Sequence, residues 1–205
     1  MKKRIFLGII CVTMLLSLCA CNSFSISLNT VGKANTSAKK MAAVIEEDLL
    51  GEKEKSNYNL YGIEMSMNTE DIGKARLIFT DKLPQNLQYS DIMVVTVDTR
   101  TGEIESVSEA DFSTMGATPY DSIVEGAPLQ ISSWKKDSDE ALTIAQNTFY
   151  GEDDFVYNYV QISAVVKNEI SQYNVTFISF VNHLKYTCAV DAMTGTVVYK
   201  DIVEL

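Results

Sequence analysis

Basic side chains are scarce in this sequence. The 205 residues contain 17 lysines and arginines against 27 aspartates and glutamates, and the formal net charge is −10. A chain this acidic is repelled by nucleic-acid phosphates and by anionic lipid headgroups. Nucleic-acid binding is therefore excluded, and any attachment to a membrane has to come from something other than a basic patch.

Histidine and thiol groups are nearly absent as well. His183 is the only histidine, and Cys188 is the only cysteine after residue 21. One cysteine cannot form an intramolecular disulfide framework, and these two residues are too few for a transition-metal site. We interpret His183 as a turn residue. We interpret Cys188, which alternates with Tyr186 and Val190, as core filling.

The sequence patterns that carry catalysis are also missing. A serine or cysteine nucleophile needs a base, and the chain offers one histidine, no G-x-S-x-G turn and no glycine-rich phosphate loop. Two acidic runs, 46–48 and 152–154, are typical of solvated faces or loops, and the second lacks the ligand spacing of an EF-hand calcium loop. We predict no catalytic residue, no metal ligand and no cofactor.

A long hydrophobic run occurs at the N-terminus. A basic Lys2–Arg4 segment precedes the apolar stretch Ile5–Leu18, which has the length of a signal-peptide core and is short for a membrane-spanning helix. The run ends in Leu-Cys-Ala-Cys at 18–21, which resembles the lipobox of bacterial lipoproteins. The resemblance implies that residues 1–20 are a signal peptide and that Cys21 carries the lipid; Cys19 fits less well because a bulky leucine precedes it. An uncleaved anchor and an ordinary secretory peptide are the alternatives.

Cleavage before Cys21 would leave a more acidic protein on a lipid anchor. The net charge changes from −10 to −13, because three basic side chains and no acidic ones are removed. We expect acyl chains to hold the protein at the cell membrane, on the extracellular or periplasmic side. Residues 21–36 are rich in Ser, Asn and Thr and are predicted to be a flexible tether. The alternation in 24–28 leaves an edge strand as the alternative.

One sequence motif, V-D-x-x-T-G-x-[IV], occurs twice. It starts at Val97 and recurs at Val190, offset by 93 residues. An aspartate at the start of a tight hairpin accepts hydrogen bonds from backbone N–H groups two or three residues on, and glycine supplies the positive φ that follows. We therefore assign structural hairpin roles to Asp98, Gly102, Asp191 and Gly195.

The apolar periodicity around these hairpins repeats in the same order. A helical pattern near 37–50 is followed by four strand-like runs, and a second helical pattern from 137 is followed by four more. We predict an α+β fold with two tandem units, 37–108 and 131–205, each a helix packed on a four-stranded antiparallel sheet, joined by the connection 109–130. The predicted strands lie near 58–67, 73–80, 91–98, 103–108, 159–167, 172–181, 184–191 and 196–203.

The second unit resembles a PepSY domain. The resemblance rests on the Asp139-Glu140-Ala141-x-x-x-Ala145 helix start and on the V-D-x-x-T-G-x-V phrase at 190–197, and the first unit is similar to a diverged copy. PepSY-like domains occur in propeptides of secreted metallopeptidases and in cell-surface lipoproteins. The resemblance implies a noncatalytic interaction module that modulates or inhibits a secreted or envelope peptidase.

The tyrosines offer surface for such an interaction. Tyr58 and Tyr61 flank the start of a strand in the first unit, as Tyr157 and Tyr159 do in the second. Core packing explains most of them, but an aromatic on an open sheet face would suit a protein or peptide partner. We expect a noncatalytic binding protein that uses its sheet faces or the groove between the units. A structural or ligand-sensing envelope component without a peptidase partner is the alternative.

Overall fold

The described part of the chain forms eight strands and two short helices. The computed structural model describes residues 37–50, 58–68, 73–81, 91–111, 127–152 and 155–205, so the predicted signal peptide, Cys21 and the tether lie outside the described residues. The strands lie close to the ranges that the alternation of apolar residues predicts. The elements are α1 (Ala38–Val44), β1 (Tyr58–Asn68), β2 (Gly73–Asp81), β3 (Asp91–Asp98), β4 (Ile104–Asp111), α2 (Ser138–Phe149), β5 (Tyr159–Lys167), β6 (Ile170–Ser179), β7 (Leu184–Asp191) and β8 (Val197–Glu204). A π-helical turn, Ile45–Leu49, continues α1, and a 3-10 turn, Ile131–Ser133, precedes α2.

All eight strands belong to one antiparallel sheet. Their order is β4-β3-β2-β1-β5-β6-β7-β8. The first strand of each half, β1 and β5, pair with each other from Ile63 opposite Ala164 to Asn68 opposite Tyr159. The two runs of four strands are therefore joined edge to edge.

The prediction of an α+β fold with two tandem helix-on-sheet units is wrong. The protein is mostly β, with two short helices on a single eight-stranded sheet. The physical reason is that a four-stranded unit ending at β1 or β5 would expose a row of unpaired backbone groups, and pairing the two edges removes both rows. The predicted domain boundaries themselves stay predictions.

One core lies between the helices and the face of the sheet that they cover, which we call the inner face. Helix α1 contributes Met41 and Ala42, and α2 contributes Leu142 and Phe149. The ring of Phe149 contacts aromatic rings of β6 and β7 edge to face. A single buried cluster contains residues of both helices and of strands from both halves. The inner-face residues of the four central strands are Ile63, Met65, Met67, Ala75, Leu77, Phe79, Val160, Ile162, Ala164, Tyr173, Val175 and Phe177.

The halves are arranged about an approximate two-fold axis. From either edge of the sheet toward its centre, the four strands of a half follow in the order fourth, third, second, first. The first strands of the two halves, β1 and β5, are antiparallel neighbours at the centre of the sheet. Met65 lies opposite Ile162 in the middle of this pair, and both side chains are buried on the inner face. The axis therefore passes through the middle of the β1–β5 ladder, perpendicular to the sheet.

Candidate functional site

The candidate site is a groove on the other face of the sheet, directly behind the Met65–Ile162 pair. We call this the axial groove; it has a volume of about 300 Å³. Pockets that hold small ligands begin at about this size. Its side chains come from the four central strands, and the strand alternation that buries the inner-face residues places them on the outer face. They are Glu64, Ser66, Lys74, Arg76, Tyr159, Gln161, Ser163, Asn174 and Thr176.

Cross-strand pairing fixes the positions of these side chains in two adjacent rows. In one row Arg76 lies opposite Glu64, which lies opposite Ser163, and Asn174 follows on β6. In the other row Lys74 lies opposite Ser66, and Ser66 lies opposite Gln161. Directly opposite residues in antiparallel strands have Cβ atoms about 5 Å apart, so neighbouring groups in a row can contact one ligand together.

The two halves contribute different chemistry to the axial groove. Its three charged side chains, Glu64, Lys74 and Arg76, come from β1 and β2 in the first half. Strands β5 and β6 contribute only hydroxyl and carboxamide groups. The approximate two-fold symmetry of the backbone is therefore not a symmetry of the site.

The charges of the groove are largely balanced within the protein. Lys74 Nζ lies 2.9 Å from Glu105 Oε2. Partial burial raises the pKa of Glu64, and the positive charge of Arg76 opposes this effect. Arg76 makes no ion pair within 4 Å with another described residue. The groove is polar, with little net charge.

Of the residues that line the groove, sequence reasoning singled out Tyr159 and missed the others. Polar residues at alternate positions of β5 and β6 show that both strands have a polar face, but only the pairing of β1 with β5 brings Glu64 beside Ser163. The available signal was the charge of Glu64, Lys74 and Arg76 inside strands whose only other charged residue is Asp81 at the end of β2. Charge within a strand marks the face that is turned away from the core.

The two repeated hairpins lie at opposite ends of the sheet. Strands β3 and β7 run antiparallel to each other because β1 and β5 do, so the turns that follow Asp98 and Asp191 point in opposite directions. The structure does not bring the two aspartates together into one site.

Each of these aspartates holds its own turn. Asp191 Oδ1 accepts hydrogen bonds from the backbone N–H groups of Met193 at 2.7 Å and Thr194 at 2.9 Å. Asp98 Oδ1 accepts from the N–H of Arg100 at 2.7 Å and, more weakly, from Thr101 at 3.4 Å. The glycines that follow, Gly102 and Gly195, both have φ of +77°.

Asp98 differs from Asp191 in having a cationic partner. The Arg100 guanidinium donates to Asp98 Oδ2 at 2.8 Å. This side-chain hydrogen bond and the backbone hydrogen bond from Arg100 hold the pKa of Asp98 far below its ordinary value of 3.8. The pair tightens the exposed β3–β4 turn.

The other residues considered from sequence fall into turns or into the core. His183 is exposed, with φ of +54°, in the turn between β6 and β7. Cys188 is a buried free thiol whose pKa is raised by burial. Tyr61 and Tyr157 are buried, Tyr58 is half-buried, and Tyr159 alone of the four lies in the axial groove.

Two further kinds of site were sought in the part of the chain that the structure describes. No three His, Cys, Asp or Glu side chains there are close enough together to hold a metal ion. No helix there is both long and apolar enough to cross a membrane.

Comparison with known proteins shows a likeness of fold. No protein-family model and no curated protein matches the chain. A solved structure from Clostridium difficile 630, described as that of a presumed lipoprotein, superposes with a TM-score of 0.56 at 9% sequence identity. The match covers 83% of this chain and 95% of the other. The fold of this chain is therefore one that a solved protein shares.

Proposed function

We propose that this protein is a noncatalytic binding protein, held at the membrane by a lipid on Cys21, that takes up a small polar ligand in the axial groove. The observation that carries the proposal is the groove itself. It brings nine polar side chains from four strands together at the centre of the sheet, on the face opposite the helices.

Several of these polar groups are free to meet a ligand. The side chains of Gln161, Ser163 and Thr176 make no hydrogen bond to another described residue. Asn174 has one partner, because its Oδ1 accepts from Gln172 at 2.7 Å. Unused donors and acceptors that converge on one cavity are what a specific polar ligand requires.

The lipid anchor is supported by the sequence before Cys21 and by the structural likeness. The basic segment, the apolar run and the Leu-Cys-Ala-Cys ending together resemble a lipoprotein signal. The solved protein of similar fold is itself described as a presumed lipoprotein. Attachment through acyl chains would suit so acidic a chain, which has no electrostatic affinity for anionic headgroups.

Ligand-dependent thermal stability would test the groove. The lipidated full-length protein in nanodiscs would be screened by the fluorescence of Trp134 against neutral sugars, short peptides and small carboxylates. A ligand at about 100 times its Kd stabilises the folded state by about 2.7 kcal/mol, which is a measurable rise in Tm.

A matched pair of variants locates the binding. Ser163→Trp would fill the groove, whereas Ser106→Trp makes the same substitution on the edge strand β4, outside the groove. We expect a stabilising ligand to lose its effect in Ser163→Trp and to keep it in Ser106→Trp. A ligand whose effect survives Ser163→Trp binds elsewhere and would contradict the proposal.

A protein partner is the second candidate, and the edge of the sheet favours it. Strand β8 is an outer strand whose exposed side chains include Tyr199, Ile202 and Val203. An open edge with apolar side chains can accept an extended segment of another protein as a ninth strand. The peptidase-modulating role that the PepSY resemblance implies would use such a contact.

This second candidate is tested separately from the groove. The full-length protein would be used to capture proteins from the secreted and envelope fractions, and any captured peptidase would be assayed for inhibition. The Ile202→Lys/Val203→Lys variant should lose both capture and inhibition, while Ser163→Trp should retain them. Inhibition that is unchanged in the lysine variant would exclude β8 as the contact.

A further inference from the structure

The chemistry of the axial groove points to its ligand. We propose that the groove binds an uncharged carbohydrate, as a free saccharide or as one unit of a longer glycan. This inference rests on the proposed function, since it names the class of ligand for the same site.

The charge balance of the groove argues against an ionic ligand. Lys74 is paired with Glu105 at 2.9 Å, and the charge of Arg76 is opposed by Glu64 on the neighbouring strand. The whole chain carries a net charge of −10. An anion would meet little net positive potential in the groove and would be repelled by the rest of the protein. A cation would meet only one carboxylate, which already faces an arginine.

The backbone of the groove argues against an extended peptide. Strands β1, β2, β5 and β6 are each paired on both sides, so their N–H and C=O groups are used within the sheet. A peptide lying on this face could not gain the main-chain hydrogen bonds of strand addition. Among the described residues, Tyr159 is the one aromatic side chain that lines the groove, although peptide and protein interfaces depend on several such anchors.

The polar side chains of the groove suit a ligand that carries hydroxyl groups on neighbouring atoms. The carboxamide of Gln161 presents a donor and an acceptor side by side, Asn174 presents its amide donor beside an oxygen that already accepts from Gln172, and the Arg76 guanidinium presents paired donors. Two adjacent sugar hydroxyls, each able to donate and to accept, can satisfy both atoms of such a planar group. Tyr159 adds an amphipathic ring, which can cover the apolar C–H face of a sugar while its hydroxyl stays in water.

Titration with defined saccharides tests this inference. Cellobiose, maltose and N,N′-diacetylchitobiose would be titrated into the lipidated full-length protein in nanodiscs, which avoids detergents with sugar headgroups. Binding would be followed by saturation-transfer NMR and calorimetry. Digalacturonate and tetra-alanine would serve as the anionic and peptide probes.

Alanine variants test whether the side chains of the axial groove contact the saccharide. At least one neutral disaccharide should bind saturably, and Gln161→Ala and Asn174→Ala should each weaken it at least tenfold, which is about 1.4 kcal/mol. Ser106→Ala, on the edge strand β4 and outside the groove, should leave the Kd unchanged. Unligated Tm values of the variants would show that folding is intact.

The outcomes separate this inference from the proposed function. If digalacturonate or tetra-alanine binds and no disaccharide does, and Ser163→Trp removes that binding, the groove is a binding site and the carbohydrate assignment is wrong. If a disaccharide binds equally well to Gln161→Ala, Asn174→Ala and Ser163→Trp, both the assignment and the groove are overturned. If no disaccharide binds, the carbohydrate inference fails, and the broader ligand screen decides the proposed function.

Discussion

Ser37 Oγ donates a 2.6 Å hydrogen bond to Asp137 Oδ2, and these two residues are the N-caps of the two helices. The contact continues on both sides of this bond. Asp137 Oδ1 accepts from the N–H of Lys39 at 3.2 Å, and Ser138 Oγ accepts from the N–H of Ala38 at 2.8 Å. The helices of the two halves therefore meet at their N-termini and share their caps.

Asp137 should matter more for stability than an ordinary N-cap. Loss of a capping side chain costs about 1 kcal/mol, within a range of about 0.5–2. Asp137→Ala removes acceptors from both helices, so we expect a loss at or above the upper end of that range, while Ser37→Ala should cost about 1 kcal/mol. Urea unfolding of the two single variants and the double variant would measure the coupling between them.

Asp137→Asn is the control for this comparison, because an asparagine keeps a capping oxygen and is as good an N-cap as aspartate. It should retain most of the stability that Asp137→Ala loses. Strictly additive effects of Ser37→Ala and Asp137→Ala would show that the two caps act independently of each other.

The repeated glycines should matter for folding and not for binding. Gly195 has φ of +77°, and a Cβ added there would lie 3.2 Å from Lys136 Cε and 3.4 Å from Ile144 Cδ1. A left-handed conformation costs a residue with a side chain about 1–2 kcal/mol, so Gly195→Ala should lower the free energy of unfolding by at least that amount. Denaturant unfolding measures it.

Gly151 provides the matched control for this substitution. A Cβ added to Gly151 would meet no atom within 4 Å. Gly151→Ala should therefore change stability by less than about 0.5 kcal/mol, as exposed substitutions usually do. A fully folded and undiminished Gly195→Ala protein that had lost ligand binding would show that the hairpin belongs to the site.

Asp98 and Arg100 give the fold a defined response to acid. The Arg100 hydrogen bonds lower the pKa of Asp98 in the folded state. Below the ordinary aspartate pKa of 3.8, the unfolded chain therefore binds more protons than the folded protein does. The stabilisation is complete above that pH and declines as the pH falls further. The stability difference between the natural protein and Asp98→Asn should accordingly shrink on going from about pH 7 to about pH 3.

NMR titration of the Asp98 carboxyl carbon would measure the pKa directly. Arg100→Ala should raise this pKa toward its ordinary value, whereas Arg76→Ala, on another strand, should not. An Asp98 carboxyl that titrates at the same pH with and without the Arg100 side chain would exclude the pair as the cause.

The sequence predicted the strands well and their assembly poorly. Alternation of Ala75, Leu77 and Phe79 predicted both that β2 is a strand and that these three side chains share a buried face, because alternation is a local property of the chain. The pairing of Ile63 with Ala164 joins segments about a hundred residues apart, and no periodicity records which edges meet. The axial groove exists only through that pairing, so Glu64, Gln161 and Ser163 could not be recognised as neighbours.

Membrane attachment should depend on one thiol. If Cys21 carries the lipid, Cys21→Ser should move the protein from the membrane fraction to the soluble fraction and abolish metabolic labelling with a fatty-acid analogue. Cys19→Ser is the control and should keep both properties, because Leu18 makes Cys19 the poorer match to the lipobox. If labelling is lost in Cys19→Ser and kept in Cys21→Ser, the lipid is on Cys19 and the cleavage site lies two residues earlier.

The two halves should unfold together, because they share one sheet and one core. Ile162 is 1% exposed and lies opposite Met65 where the halves join. Ile162→Ala should cost about 2–5 kcal/mol. In a shared core this loss lowers the stability of both halves. Trp134 fluorescence reports the second half, and far-UV circular dichroism reports both halves. The urea unfolding curves followed by the two signals should therefore shift to the same lower midpoint. Ile202→Ala on the exposed edge strand should have a much smaller effect. Two separate transitions, with only the second-half signal shifted by Ile162→Ala, would mean that the β1–β5 pairing joins the halves without making them one cooperative unit.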